Sequence, residues 1–508
     1  MLLAAAVSFA NPGRRPTNRG PLVAEILALF AMASSLGAGL VLITQGPGTS
    51  PALLGLSSRL DVVSVLMLLL VSFVGWVVLR YSRNYLDGES RQGAFTGWMC
   101  LTLAAVLLLV QAGNLTQLFV AWVSTSLTLH RLLLFYPDRV PAQRAAAKKF
   151  VVARLSDGAL LGAVVLLANA FGTGDIATIL SAASTGESSA SLTLAAGLIA
   201  IAALLKSAQF PTHGWLTEVM ETPTPVSALL HAGLINAGGF LLLRFADVML
   251  LAPGMLAVLV IIGGFTALYG SCVMLTQPTV KTSLAWSTVA QMGFMTLQCG
   301  LGLFALALLH IVAHSLYKAH AFLAAGGAVE RVASIQRPGP VAIPRAGAVV
   351  LSFIAALTIY CAIGLAFGLD HKSAQAIVLG AILVLGVAYL LAQGFADAAP
   401  RELTRRTALY SVVTSVAYFT LHNAAEWLTA GTLPAPPTPD SLEWALMVLS
   451  VLSFALVAVG QATFPLWAYH PAAAGLRVHL SNGLYVNALF DRLVGGWSIT
   501  RRPSRTAA

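Results

Sequence analysis

Runs of about twenty apolar residues recur along the whole chain, and that is the length a helix needs to cross the hydrocarbon core of a bilayer, about 30 Å thick. They fall near 22–44, 61–80, 96–112, 115–136, 150–171, 190–209, 225–246, 254–276, 283–301, 303–327, 346–368, 374–395, 406–430 and 442–466. The pattern predicts an all-α, polytopic membrane protein with about fourteen transmembrane helices, because in lipid each segment must satisfy its own backbone polar groups. Composition agrees: of 508 residues only 9% are charged and 58% are hydrophobic, with a mean hydropathy of +0.83. A soluble domain carries about 25% charged residues, so that class is excluded. The stretch from Met1 to Ala10 is apolar but too short to span, and it lacks the preceding basic region of a signal peptide.

Basic residues order the topology. Arg14, Arg15 and Arg19 precede the first run, and Arg80, Arg83 and Arg91 follow the second. Arg139, Arg144, Lys148 and Lys149 follow the fourth, Arg331, Arg337 and Arg345 the tenth, and Arg401, Arg405 and Arg406 the twelfth. More arginines fill the tail, whereas the only charged residues of 172–189 are Asp175 and Glu187, and those of 431–443 are Asp440 and Glu443. With alternating spans, the positive-inside rule puts both termini in the cytoplasm, in the inner membrane of a cell. It also accounts for the net charge of +10 without nucleic acid. Three regions follow: a cytoplasmic segment 1–21, one transmembrane domain 22–466, and a cytoplasmic tail 467–508 that can lie on the membrane surface as an amphipathic segment. Four cysteines stand singly, with no CxxC pair to suggest a metal cluster or disulfide framework.

Ionisable residues inside the apolar runs are costly in lipid and mark function. Lys206 ends a run that starts near Ala190, and Pro211 then breaks the helix, so 190–221 reads as a broken crossing. Broken helices persist only inside protein or beside water, and transporters use them at ion sites. A shielded amine whose proton affinity depends on its neighbours suits a proton relay; the rival reading is a lysine snorkelling to an interface. "LLHIVAHSLYKAHAFLAAGG" sets His310, His314 and Lys318 at successive i, i+4 steps on one helix face, with His320 nearby. Such a stripe suits a proton path. Helix–helix hydrogen bonding is the plainer alternative, and a metal site lacks a third ligand. His231 lies within three turns of Pro223 and Pro225. Asp157 is the nearest acidic partner for Lys206, or else forms a local pair with Arg154. In "GLDHKSAQ", His371 and Lys372 occupy either a short outside loop or a second helix break.

"KSAQFPTHGWLTEVMETPTPVSALLHAG", "KTSLAWSTVAQMGFM" and "HIVAHSLYKAHAFLAAGG" resemble the proton-translocating, antiporter-like subunits of respiratory complex I, and are similar also to Mrp cation antiporters and membrane-bound hydrogenases. The likeness runs in order from about Tyr81 to Gly327, with a weaker echo in "LRVHLSNGLYVNALFDRLVG". It implies the antiporter-like fold, Lys206 as the central proton-carrying lysine, and His231, His310, His314 and Lys318 as parts of a polar axis. Glu218 and Glu221 match acidic motif positions at the cytoplasmic end of the broken helix. One departure stands out: Val123 follows Trp122 where relatives carry the glutamate that pairs with the lysine. Asp157 matches another acidic position of the family and can replace it.

With its size, truncated end and missing glutamate, the chain resembles in particular the membrane subunits of DAB-type inorganic carbon transporters. That resemblance implies a proton- or Na+-conducting subunit, not itself an enzyme, which couples the gradient to bicarbonate accumulation. Its expected partner is a large cytoplasmic zinc protein resembling β-carbonic anhydrase, with the zinc in the partner and no cofactor in this chain. The alternative is a subunit of a complex I-type, hydrogenase or Mrp assembly.

Overall fold

The computed structural model describes residues 1–11, 19–51, 55–327, 346–395 and 400–493. The basic residues Arg14, Arg15, Arg331, Arg337, Arg345, Arg501, Arg502 and Arg505 lie outside these. A helix α1 (Leu2–Ala10) occupies the apolar start and packs on α4. Five helices follow: α2 (Gly20–Gln45), α3 (Val62–Tyr85), α4 (Gln92–Val110), α5 (Leu115–Leu133) and α6 (Val140–Phe171). Then come α7 (Ile176–Thr185), α8 (Ala190–Lys206), the single turn α9 (Gly214–Thr217), α10 (Thr224–Ala232), α11 (Ala237–Arg244), α12 (Ala246–Leu250), α13 (Pro253–Met274), α14 (Val280–Gly300) and α15 (Phe304–Leu323). After the undescribed segment stand α16 (Ala346–Ala366), α17 (Ala374–Gly394), α18 (Arg401–Thr429) and α19 (Ser441–Ala462). The tail forms α20 (Phe464–Trp467), α21 (Pro471–Ser481) and α22 (Val486–Leu493).

Each of the fourteen apolar runs is helical. Ten of the described helical segments are both long and apolar enough to cross a membrane; α5, α8, α14 and α18 complete the set, being shorter or carrying more polar residues. This is an all-α polytopic membrane protein. A two-residue antiparallel ribbon, Gly48–Thr49 with Arg59–Leu60, is the β-structure among the described residues. Two readings needed refinement. The 172–189 connection holds α7, which Asp175 caps by accepting a hydrogen bond from the Thr178 amide. The 225–246 run is two helices, because a 3₁₀ turn at Leu234–Asn236 follows Gly233.

Helix starts are set by short polar side chains that accept the orphan amides of the first turn. Asp61 does this for α3, Asn114 for α5, Ser189 for α8 and Thr279 for α14, while Asp440 and Glu443 form a capping box on α19. Close helix contacts rest on small residues, as membrane packing favours. The pair α13–α14 is the most intimate: a Cβ at Gly293 would lie 2.4 Å from the Ala267 amide nitrogen and 2.8 Å from the Gly263 carbonyl. Apolar side chains cover the rim, where α2 and α19 expose Phe30, Ile43 and Leu456. The centre is made by α3, α5, α6, α8, α10, α11, α14 and α15, and there the polar groups gather.

Candidate functional site: two buried amines and their polar surroundings

The break after α8 fixes the first amine. Lys206 is the last residue of α8, and Ala208 turns the chain with a positive φ of 51°. The freed polar groups find partners inside the protein. Ser207 Oγ donates to the Ile235 carbonyl at 3.1 Å, Gln209 Nε2 to the Ser207 carbonyl at 3.0 Å, and the Phe210 amide to Thr266 Oγ1 at 3.2 Å. The helix α11 comes close enough that a Cβ at Gly238 would fall 2.3 Å from Ser207 Oγ. Irregular backbone at this depth is therefore enclosed by protein.

Lys206 points into the bundle, not toward lipid or an interface, and is only 9% exposed. Its Nζ donates to Ser126 Oγ at 2.7 Å, to Thr125 Oγ1 at 3.0 Å and to the Trp122 carbonyl at 3.3 Å. It also stands 4.3 Å from the Trp122 ring centroid, within cation–π range. All three oxygens are neutral and come from α5. The nearest carboxylate, Asp157 on α6, pairs with Arg154 at 2.5 Å and acts on Lys206 only through its field. Beside the amine is a cavity of about 20 Å³, lined by Thr125, Ser126, Lys149, Lys206 and Trp215 among others, which is room for one water.

A second, unanticipated amine shares that cavity. Lys149 Nζ donates to the Ser126 carbonyl at 2.6 Å, and the side chain is buried. One residue earlier, Lys148 bridges Glu218 at 2.8 Å and Asp491 at 2.7 Å, joining α6 to the broken segment and to the tail helix α22. Read in sequence, both lysines counted as loop charges. They are buried because α6 begins at Val140 and carries them in its third turn. The Glu221 side chain lies outside the described part of the structure.

The second cluster is built by α10, α14 and α15, which pack together. His231 is fully buried, with Nδ1 2.9 Å from Thr288 Oγ1 and its ring stacked on Phe322 at 4.4 Å. On α15, His310 and His314 have ring centroids 6.0 Å apart. Lys318, one turn further, donates to the Leu284 carbonyl at 3.0 Å and to Ser287 Oγ. His314 and Lys318 are buried, His310 is half-buried, and His320 is exposed. Nε2 of His231, His310 and His314 lacks a hydrogen-bond partner among the described residues, leaving three imidazole nitrogens for proton exchange. Between the clusters, Asn236 Nδ2 donates to Ser315 Oγ at 2.8 Å, one residue from the Ile235 carbonyl that Ser207 engages.

The "GLDHKSAQ" stretch is a connection between two helices: a 3₁₀ turn at Leu369–His371 precedes Ser373, which caps α17. His371 is exposed, and its Nε2 lies 3.4 Å from the Asp370 carboxylate. Lys372 folds inward and pairs with Glu426 on α18, which also contacts His422 Nε2 at 3.0 Å. Glu426 borders a cavity of about 380 Å³. Sequence reading missed Glu426 and His422, although their i, i+4 spacing on an apolar helix was a usable signal. It also missed Arg244, which binds Asp61 at 2.5 Å and Ser64 Oγ at 2.7 Å. Among the described residues, no three His, Cys, Asp or Glu side chains converge as metal ligands.

Known proteins resemble this chain. Residues 112–339 match the family model "NADH:quinone oxidoreductase/Mrp antiporter, TM", and residues 52–96 match "NADH-Ubiquinone oxidoreductase (complex I), chain 5 N-terminus". The chain is 38% identical, over its full length and 95% of the relative, to a probable inorganic carbon transporter subunit DabB2 of Halothiobacillus neapolitanus. It is 48% identical to a probable DabB of Hydrogenovibrio crunogenus over 53% of this chain and 52% of that one. NADH-quinone oxidoreductase subunit L of Mycobacterium tuberculosis is 33% identical over 79% of this chain and 63% of that one. Among solved structures, the Mrp complex of a Dietzia species superposes with a TM-score of 0.61 at 23% identity, covering 97% of this chain and 59% of that chain. At such identity the likeness speaks for the fold.

Proposed function

We propose a function for a chain that belongs to the DabB family of inorganic carbon transporter subunits, within the NADH:quinone oxidoreductase/Mrp antiporter group: it conducts protons through the buried amines and couples their flow to inorganic carbon accumulation. One observation carries the reading. Lys206 is held in the bundle interior by neutral oxygens beside a one-water cavity. An ammonium there has no bonded counter-ion, so the cost of its charge depends on its neighbours, which can decide between its two protonation states.

Protons enter on the outer side and use the groups of α15 and α10: His310, His314, Lys318 and His231. They reach Lys206 at the break and leave near Lys148, Glu218 and Asp491. The excess of basic residues in the loops supports an exit and both termini on the cytoplasmic side, with the chain in the inner membrane of a cell. Lys372, Glu426 and His422 form a further outer polar site beside the wider cavity. The drive is about 2.3 kcal/mol per charge per 100 mV. It does work only if a partner's conformations stabilise the charged and neutral forms of Lys206 differently. That partner is a cytoplasmic, zinc-containing protein resembling β-carbonic anhydrase, which makes bicarbonate from CO2; this chain supplies ion movement and no hydration chemistry. Its three parts are the start 1–21, the membrane domain 22–466 and the tail 467–508.

The test is accumulation of labelled inorganic carbon in a carbonic-anhydrase-deficient host that expresses this chain with the co-purifying cytoplasmic protein. Accumulation that stops when a protonophore collapses the gradient supports the reading. Accumulation that continues refutes gradient coupling, and a proton–sodium distinction follows from substituting a sodium ionophore.

A further inference from the structure

Lys149 and Lys206 reach the same serine from two helices. Lys206 Nζ donates to Ser126 Oγ at 2.7 Å and Lys149 Nζ to the Ser126 carbonyl at 2.6 Å, and both line the cavity of about 20 Å³. The charged groups that act on this pair are few. Among the described residues they are Arg154 and Asp157 on α6; on α5 the titratable neighbour of Lys149 is His130, whose ring lies tilted 5.2 Å from that of Phe150. Asp157 is already bound by Arg154 at 2.5 Å. Two ammoniums and a guanidinium would thus share one carboxylate in an interior where unpaired charge is expensive. The site accommodates one proton between the two amines more readily than two, because like charges that share one serine and one small cavity disfavour each other's ionised form.

We propose that Lys149 is a second proton carrier, which takes the proton from Lys206 and passes it toward the Lys148 exit, and that repulsion between the two amines replaces the lysine–glutamate pairing that Val123 removes. The inference rests on the proton-conducting reading above and adds a residue to it. The step balances: the Lys206 ammonium loses H+ to the cavity water, that water gives H+ to the neutral Lys149 amine, and Lys206 is left as a free amine. Arrival of the next proton at Lys206 then expels the one on Lys149. Its outlet lies along α6, where the neighbouring residue Lys148 meets Glu218 and Asp491 in partly exposed positions. The pair therefore sets direction as well as passage.

The experiment uses the intact complex in liposomes with an internal pH dye and a potassium–valinomycin potential. Lys149→Met keeps most of the side chain's length and removes the amine. It is expected to lower proton uptake at least tenfold with the complex still assembled, and to shift the pH midpoint of the residual flux by about one unit, since one unit corresponds to a tenfold change in proton affinity. Wild-type uptake with an unshifted profile, in liposomes where Lys206→Met is inactive, overturns the proposal. A second measurement decides it independently of transport: the ¹³C-methyl resonance of methylated Lys206 is followed against pH in wild type and in Lys149→Met. A moved titration supports the coupled pair, and an unmoved one overturns it. If wild-type vesicles take up no protons, the conduction reading falls, while the titration still tells whether the two amines share a proton.

Discussion

The Lys206 amine stands 4.3 Å from the centre of the Trp122 ring and 3.3 Å from the Trp122 carbonyl, one residue before Val123, the position where the resemblance to complex I subunits implies a glutamate. The helix α5 thus still approaches the lysine, but with an aromatic face, a carbonyl and two hydroxyls in place of a formal negative charge. These groups satisfy the three hydrogens of an ammonium without fixing the proton there, because none of them is ionised.

Lys206→Met removes the proton-binding group at nearly constant volume. Gradient-driven carbon accumulation is expected to fall about a hundredfold or more, the scale of losing a positioned proton-transfer group. Assembly should persist, because the removed bonds go to neutral oxygens of one neighbouring helix. Size-exclusion of the purified complex checks assembly, and labelled carbon uptake checks activity; normal uptake would end the relay account.

Asp157→Asn keeps the shape of the acid and deletes its field. Arg154 then loses its partner at 2.5 Å, and positive charge near Lys206 and Lys149 goes unopposed. Proton flux should drop, with its pH dependence displaced toward acid, since a less favourable field releases the proton from the amines at lower pH. A profile coincident with wild type would confine Asp157 to a local pair with Arg154.

The order of apolar runs made the helices legible, since length and hydropathy alone settle a span. The Lys206 break was legible too, because Pro211 interrupts an apolar helix just after a lysine. The surroundings of that lysine were not. Thr125 and Ser126 are unremarkable hydroxyls on α5, and only the tertiary fold brings them to an amine 80 residues later. Lys148 and Lys149 were misread for a physical reason: near a helix end, basic residues count equally as loop charges or as buried groups until packing decides. The stripe on α15 was visible from its spacing, and so was the His422–Glu426 pair on α18, but that Lys372 joins it needed the tertiary fold.

Glu426→Gln separates the Lys372–Glu426–His422 site from the central one. The carboxylate is shared by Lys372 and by His422, whose imidazole is buried. The amide keeps the shape but leaves both bases without a counter-charge. Flux driven from the outer side should fall severalfold, while the Lys206 titration stays in place because the two sites lie on different helices. A change in the Lys206 titration would show that the sites are not independent.

Asp61 and Arg244 are a buried ion pair at the head of α3, 2.5 Å apart, with Ser64 and the Val110 carbonyl completing the guanidinium's contacts. Burial alone would raise the Asp61 carboxyl; Arg244, Arg59 and the Ser64 amide outweigh it and hold the group below the usual carboxylate range. A lowered folded-state value means that the stabilisation is fully present above the unfolded value of 3.8 and is lost as pH falls through the folded one. Arg244→Met strands the carboxylate and should cost about 3–5 kcal/mol, the scale for breaking a buried pair. Thermal unfolding of the purified complex should show that loss at constant size from pH 6 to pH 9, and Asp61→Asn combined with Arg244→Met should recover part of it. If the single variant melts with wild type, the pair is not holding α3 against α11, and that end of the bundle must be secured by its apolar contacts.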